Sequence, residues 1–190
     1  MSKKSGKIIV IVAPSGAGKT TICRLLLKEF PLIKFSVSAT TRMPRNGEIN
    51  GKDYFFLSDD EFVRQVDENH FLEWEFYNGN KYGTLQTEVD KLLKSGYFPL
   101  LDIEVKGALN VKNIYGSDCI SIFIQPPSID ALEQRLIKRG TETLISVENR
   151  LKRAEEEMSF AKNFDYVVVN DDLETAYKEV KAIIEPFITD

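Results

Sequence analysis

The chain has 190 residues, 43% apolar and 28% charged, and its 25 Lys and Arg against 29 Asp and Glu leave a net charge of −4. This composition excludes a disordered or fibrous chain. The acidic total excludes a general nucleic-acid or membrane-surface binder, because both need a basic excess. The length suits one domain that buries roughly 70% of its unfolded surface.

The longest purely apolar run, Ile8 to Ala13, falls far short of the ~20 residues that span a bilayer. It is also too short for a signal peptide behind the basic start Met1 to Gly6, and Ser2 does not fit the lipidation signal that needs glycine after Met. Cys23 and Cys119 make no disulfide framework and read as small buried hydrophobes in a reducing cytoplasm. The single histidine, His70, has no Cys/His cluster around it and reads as a surface or packing residue.

In chain order, Ile8 to Val12 is a β-branched run that predicts a strand buried on both faces of a parallel sheet. A Gly-rich turn follows, then a predicted helix from Thr20 to Phe30, stopped by Pro31. The runs Phe98 to Ile103, Ile120 to Ile124 and Tyr166 to Val169 predict three more strands. Pro99 lacks a ladder donor and is tolerable only near a strand start. Helical patterns cover Thr87 to Ser95, Ile129 to Arg139, Val147 to Lys162 and Leu173 to Phe187. Alternating strands and helices predict an α/β domain with a parallel sheet flanked by helices. Two stretches break the alternation. One is rich in Thr, Arg, Asn, Gly and aromatics and predicts a small mixed insert; the other is charged, helical and hinged at Gly140. The expected division is a core of residues 1–37, 86–125 and 165–190, an insert of 38–85 and a helical lid of 126–164.

Directly after the first strand comes Ala13-Pro14-Ser15-Gly16-Ala17-Gly18-Lys19-Thr20. Strand, Gly-rich turn, Gly-Lys-Thr and helix form the P-loop arrangement. Small residues let backbone N–H groups face phosphate oxygens, and the helix N-terminus adds its positive dipole end. Lys19 would bridge the outer phosphates, and the Thr20 hydroxyl can hold Mg²⁺. Ala13 stands where the pattern has its first glycine, and alanine takes positive φ only at a cost. Asp102 ends a strand beside this loop, which suits a carboxylate facing the metal through water. Glu104, two residues on, would share its face. The alternative is that both residues cap a strand in solvent.

The insert holds Ser38-Ala-Thr-Thr-Arg42-Met-Pro-Arg45-Asn-Gly-Glu48-Ile-Asn-Gly-Lys-Asp-Tyr54, then Phe71-Leu-Glu73-Trp and Asn80-Lys-Tyr82-Gly-Thr84. With these motifs the chain resembles the guanylate kinase family from about Lys7 to Phe187. The resemblance implies phosphoryl transfer from ATP to GMP, with Mg²⁺; dGMP use and oligomeric state stay open, and no nucleic acid or membrane is expected as a partner. By matched position it implies that Arg42, Arg45, Tyr54 and Tyr82 grip the GMP phosphate, and that Ser38, Glu73 and Thr84 contact guanine. Asp102 and Glu104 match an acidic pair near acceptor and metal, with Glu104 replacing a frequent Asp. On residue type alone, Arg42 and Arg45 would equally be loop cations, and Tyr54 and Tyr82 core aromatics. The chemistry agrees with the implied roles. A carboxylate such as Glu73 accepts both donors on one edge of guanine. Adenine lacks that pair, and a site built this way can reject such analogues by ~10⁴-fold or more. Two arginines and two tyrosine hydroxyls suit a dianionic phosphate.

In the lid, Arg135 and Arg139 share a helix face opposite Leu132 and Leu136, with no acidic residue three or four positions away in the helix. Arg150 is flanked the same way. An outside anion would explain all three, and the family has lid arginines at these positions. Lys152 with Glu156 and Arg153 with Glu157 read instead as solvated pairs. Asn170, after Val167 to Val169, resembles the family's contact near adenine, though a strand-ending turn is equally compatible. The expected catalytic set is therefore Lys19, Arg42, Asp102, Arg135, Arg139 and Arg150. The ATP site adds Asn170 to the loop residues 13–20, Arg135 and Arg139. Lys19, Arg42, Arg45, Arg135, Arg139 and Arg150 would make a strongly positive cleft despite the acidic total. Peptide-binding guanylate-kinase-like scaffold domains have lost phosphate-binding residues, whereas Lys19, Thr20 and the lid arginines are present here. Ser38 and Glu73 oppose another nucleoside monophosphate kinase.

Overall fold

A computed structural model describes residues 7–138 and 144–189. Its frame is a five-stranded parallel sheet, and its central strand is β1 (Ile8–Val12). On one side of β1 lie β7 (Phe98–Asp102) and then the edge strand β2 (Ile33–Phe35); on the other lie β8 (Cys119–Gln125) and then β9 (Tyr166–Val169). Every residue of β1 is buried, as its unbroken apolar run predicts.

Strand side chains alternate in direction, so β1 feeds two cores. Ile9 and Ile11 pack with α1 (Lys19–Glu29) through Ile22, Cys23 and Leu26, and with α7 (Leu173–Thr189) through Ala176, Val180 and Ile184. Ile8, Val10 and Val12 pack on the other face. There they meet Val89 of α3 (Gln86–Lys94) and Val105, Ala108 and Val111 of α4 (Val105–Tyr115). The central strand is thereby fixed, and the P-loop leaves its carboxyl end in a set direction.

The insert is a second, four-stranded sheet. Its order is β4 (Phe55–Phe56), β3 (Ala39–Thr40), β6 (Asn80–Leu85) and β5 (Phe71–Tyr77). The β3–β4 pair is parallel and the others antiparallel, so the sheet is mixed. Helix α2 (Asp59–Asp67) accompanies it. The stretch expected as a lid contains α5 (Ile129–Lys138) and α6 (Leu144–Ser159), whose buried residues Leu132, Leu136, Val147 and Ala154 form a small core of their own.

The α/β class with a parallel sheet agrees with the sequence reading. Besides α6, which runs Leu144–Ser159 where Val147 to Lys162 was expected, four elements differ from it. The strand predicted to reach Ile103 stops at Asp102, and Glu104 is the residue before α4 and not part of a strand. Strand β2 is too short to show a pattern. Helix α2 was legible in Ser58-x-x-Glu61: Ser58 Oγ accepts from the Glu61 N–H at 3.2 Å, and Glu61 Oε2 accepts from the Ser58 N–H at 2.9 Å. Helix α4 was obscured by Gly107 in its first turns. Pro99 is the second residue of β7, close to the strand start. No helix among the described residues is long and apolar enough to cross a membrane.

Candidate active site

Two cavities adjoin at the carboxyl edge of the parallel sheet. One, about 430 Å³, lies between that edge and the insert and is lined by Ser38, Tyr54, Glu73, Tyr82 and others. The second, about 370 Å³, lies over the P-loop and under α6, lined by residues 13–16 and 18–20 with Arg150, Arg153 and Glu157. They share Tyr77, Asp102 and Glu104. Ligands in the two spaces would therefore meet across those three side chains.

The P-loop forms because its glycines take backbone angles that other residues avoid: Gly16 and Gly18 have φ of +101° and +98°. Among the described residues, the non-glycines with positive φ are Asn69 and Asn78, so Ala13 keeps an ordinary backbone and replaces glycine without strain. The loop is braced from both sides. Asn170, buried at the end of β9, donates its side-chain amide to the Ala17 carbonyl at 2.6 Å. A Cβ on Gly18 would overlap that amide, and one on Gly16 would come within 2.9 Å of Leu132 in α5. Asn170 thus supports the shape of the loop, which is compatible with the adenine-side place expected of it. Helix α1 starts at Lys19 with no side-chain cap, leaving its N-terminal dipole directed toward the cavity.

Lys19 pairs with Asp102. Burial alone would lower the pKa of this ammonium, but Asp102, with Glu104 behind it, raises it above the ordinary lysine range. Arg42 is likewise partnered. Its two terminal nitrogens donate to Glu48 at 3.0 and 2.8 Å, and its guanidinium lies over the Tyr54 ring at 5.4 Å. The Glu48 carboxyl is held low by the Arg42 bonds and by the Arg45 backbone N–H. The Arg45 side chain is exposed. Tyr54 and Tyr82 face each other edge-on with centroids 6.1 Å apart.

Glu73, on β5, is only 8% exposed. Its Oε1 accepts from the Thr84 hydroxyl at 2.5 Å. Burial pushes its carboxyl up to about 7, against the pull of the Thr84 bonds. Thr84 therefore stands behind Glu73 and not on the cavity wall.

The lid departs most from the sequence reading. Arg153 is not in a solvated pair. Its guanidinium reaches Glu157 at 2.7 Å, Glu104 at 2.9 Å and Glu75 at 3.4 Å, and covers the Tyr77 ring at 4.4 Å. One side chain thus ties α6 to the core and to the insert. Lys152 pairs with Glu148 at 3.2 Å and not with Glu156. Arg150 lines the P-loop cavity, whereas Arg135 donates to the Asp171 carbonyl at 3.1 Å, toward the β9 end of the loop. Arg139 lies outside the described residues. The cleft is consequently of mixed sign and not strongly positive, because Lys19, Arg42 and Arg153 each face carboxylates. Glu48, Arg153 and Tyr77 were missed as site residues. Glu48 was readable from the Gly-Glu of the arginine motif, but a cross-domain contact like that of Arg153 leaves no local signal.

The guanylate kinase family model matches residues 5–186. The chain is 48% identical over 184 residues to the guanylate kinase of Chlorobium chlorochromatii, covering 97% of both chains. It is 50% identical over 183 residues to that of Salinibacter ruber, covering 96% of this chain and 97% of that one. The crystal structure of guanylate kinase from Anaplasma phagocytophilum superposes with a TM-score of 0.76 at 32% identity, covering 97% of this chain and 87% of that one. The SH3-kinase fragment of tight junction protein 3 has a TM-score of 0.54 at 16% identity, covering 98% and 60%, and shows a shared fold alone.

Two structural outcomes are expected. Arg153→Ala should raise amide hydrogen exchange across α6 roughly several-fold, since its pairs are partly exposed; unchanged exchange would deny it a tethering role. Glu73 binds a proton more tightly folded than unfolded, so its burial costs stability as pH rises from about 4.5 to about 7. Glu73→Gln should therefore gain on the parent by on the order of 2 kcal/mol between pH 5.5 and 8 in urea unfolding. An equal difference at both pH values would show that the carboxyl titrates normally.

Proposed function

The chain belongs to the guanylate kinase family, and on that premise we propose how its residues divide the transfer of the γ-phosphoryl group of ATP to GMP. The observation that carries the assignment is the pair of adjoining cavities, one over a P-loop and one walled by a buried carboxylate, meeting at Asp102 and Glu104.

The P-loop residues 13–20 hold the ATP phosphates, with Arg135 and Asn170 acting at the adenine side of the loop. Lys19 leaves Asp102 for the β- and γ-phosphates, and Arg150 faces the same oxygens from α6. The second cavity takes GMP. Arg42, Arg45, Tyr54 and Tyr82 bind its phosphate, with Glu48 orienting Arg42 as an already formed fork. Ser38, Glu73 and Glu104 face the base, and Thr84 fixes Glu73. An ionised Glu73 accepts from the ring N–H and the exocyclic amine of guanine. A GMP phosphate oxygen attacks the γ-phosphorus, the bond to the β–γ bridging oxygen breaks, and ADP leaves with that oxygen. The nucleophile is already ionised, so no general base is needed. Position and charge neutralisation supply the rate.

Thr20 and Asp102 fit Mg²⁺: both are hard oxygen donors on one cavity wall, and a cation that keeps waters and binds through phosphates needs no larger protein set. When bound, the ion would neutralise charge on the phosphate oxygens. The insert, residues 38–85, is the acceptor domain, and the lid, residues 126–164, closes to exclude water, which would otherwise hydrolyse ATP. The buried free thiols Cys23 and Cys119, both pushed up to about 12 by burial, suit a reducing cytoplasm.

Lys19→Ala should lower kcat by roughly 10³-fold or more, while GMP binding measured by calorimetry largely survives. Loss of GMP binding with normal turnover at saturation would remove Lys19 from the transfer step.

A further inference from the structure

Gly107 is an expensive choice where it stands. It is the third residue of α4, in the first turn between the buried residues Val105 and Ala108, and glycine has a lower helix propensity than alanine. Its φ is not positive, so the backbone does not require glycine. The requirement comes from a neighbour in another domain. A Cβ at this position would lie 2.9 Å from both Cγ and Cδ of Glu73 and closer still to Oε2.

We propose that Gly107 is the positioning residue for base selectivity: it leaves the space in which the Glu73 carboxylate is aimed at the acceptor base. The inference rests on the reading of Glu73 as the guanine contact. Thr84 holds one carboxylate oxygen at 2.5 Å, and the bare surface of α4 bounds the other. The helix cannot yield easily, because Ala108 and Val111 are fully buried against β1. The Glu73 side chain is the softer partner. An added methyl group would therefore turn the carboxylate away from its Thr84 bond and from both guanine donors, with the fold retained. The lesion falls on base reading and leaves the P-loop untouched.

The test compares kcat/KM for GMP with that for inosine monophosphate, which keeps the ring N–H and lacks the exocyclic amine. The variants are Gly107→Ala, Glu73→Gln and the double variant. Each single variant should lower the GMP preference roughly tenfold or more, the worth of a charged hydrogen bond. The KM for ATP should stay unchanged in Gly107→Ala, and the double variant should prefer GMP no less than Glu73→Gln does. If Glu73→Gln lowers the preference and Gly107→Ala does not, the role of Gly107 is overturned. An additive double variant overturns it too, because Gly107 would then act elsewhere. If Glu73→Gln leaves the preference intact, the base reading itself fails. Should Gly107→Ala not fold, adding Glu73→Ala removes the atoms that the methyl meets. Recovered thermal melting supports the proposal, and a chain that still fails to fold contradicts it.

Discussion

The structure depends on one electrostatic constraint: an anionic chain has to build a site for two anionic nucleotides. Cations buried without partners would cost several kcal/mol each. The chain meets the constraint by giving its cleft cations carboxylate partners, Asp102 for Lys19, Glu48 for Arg42, and Glu104, Glu75 and Glu157 for Arg153. The cleft thus keeps its cations charged and oriented inside a net charge of −4. In the proposed reaction the phosphates take over some of those bonds. The exchange of one anionic partner for another asks little reorganisation of the cation, which is what electrostatic preorganisation requires.

The same pairs set the mechanical layout. Lys19 begins α1, Asp102 ends β7 and Glu104 precedes α4, so all three are fixed by the two hydrophobic cores that β1 separates. Arg42 and Glu48 belong to the insert, and Arg153 belongs to the lid. The insert and α6 meet the core through apolar contacts such as Leu72 and Met158 as well as through the charge contacts of Arg153. Partly exposed ion pairs are worth little individually, so the Arg153 contacts add orientation more than stability. Glu73 follows a different rule. It is buried, costly and braced by Thr84, and in the proposed reaction its value lies in rejecting a base that cannot satisfy it.

Much of this was legible in the sequence. The apolar run Ile8 to Val12 followed by Gly18-Lys19-Thr20 announces strand, turn and helix, because each residue type serves its local geometry. The insert's arginines and tyrosines could be placed by motif, and Ser38, Tyr54, Glu73 and Tyr82 do line one cavity. What stayed hidden depends on contacts between distant segments. Arg153 has Glu157 at helical spacing, so it reads as an ordinary surface pair until Glu104 and Glu75 are seen beside it. Gly107 looks like a helix breaker until Glu73 is seen to need its space. Asn170 lies 153 residues from the loop carbonyl it holds. The apolar spacing Val105, Ala108, Val111 would have revealed α4, had the glycine not outweighed it.

The most direct measurement is ADP release with ATP as donor and GMP, AMP, CMP or UMP as acceptor, at equal concentrations. The account predicts turnover with GMP and rates lower by orders of magnitude with the other three, because only guanine satisfies Glu73. Comparable rates with AMP, or no turnover with any acceptor, would contradict it.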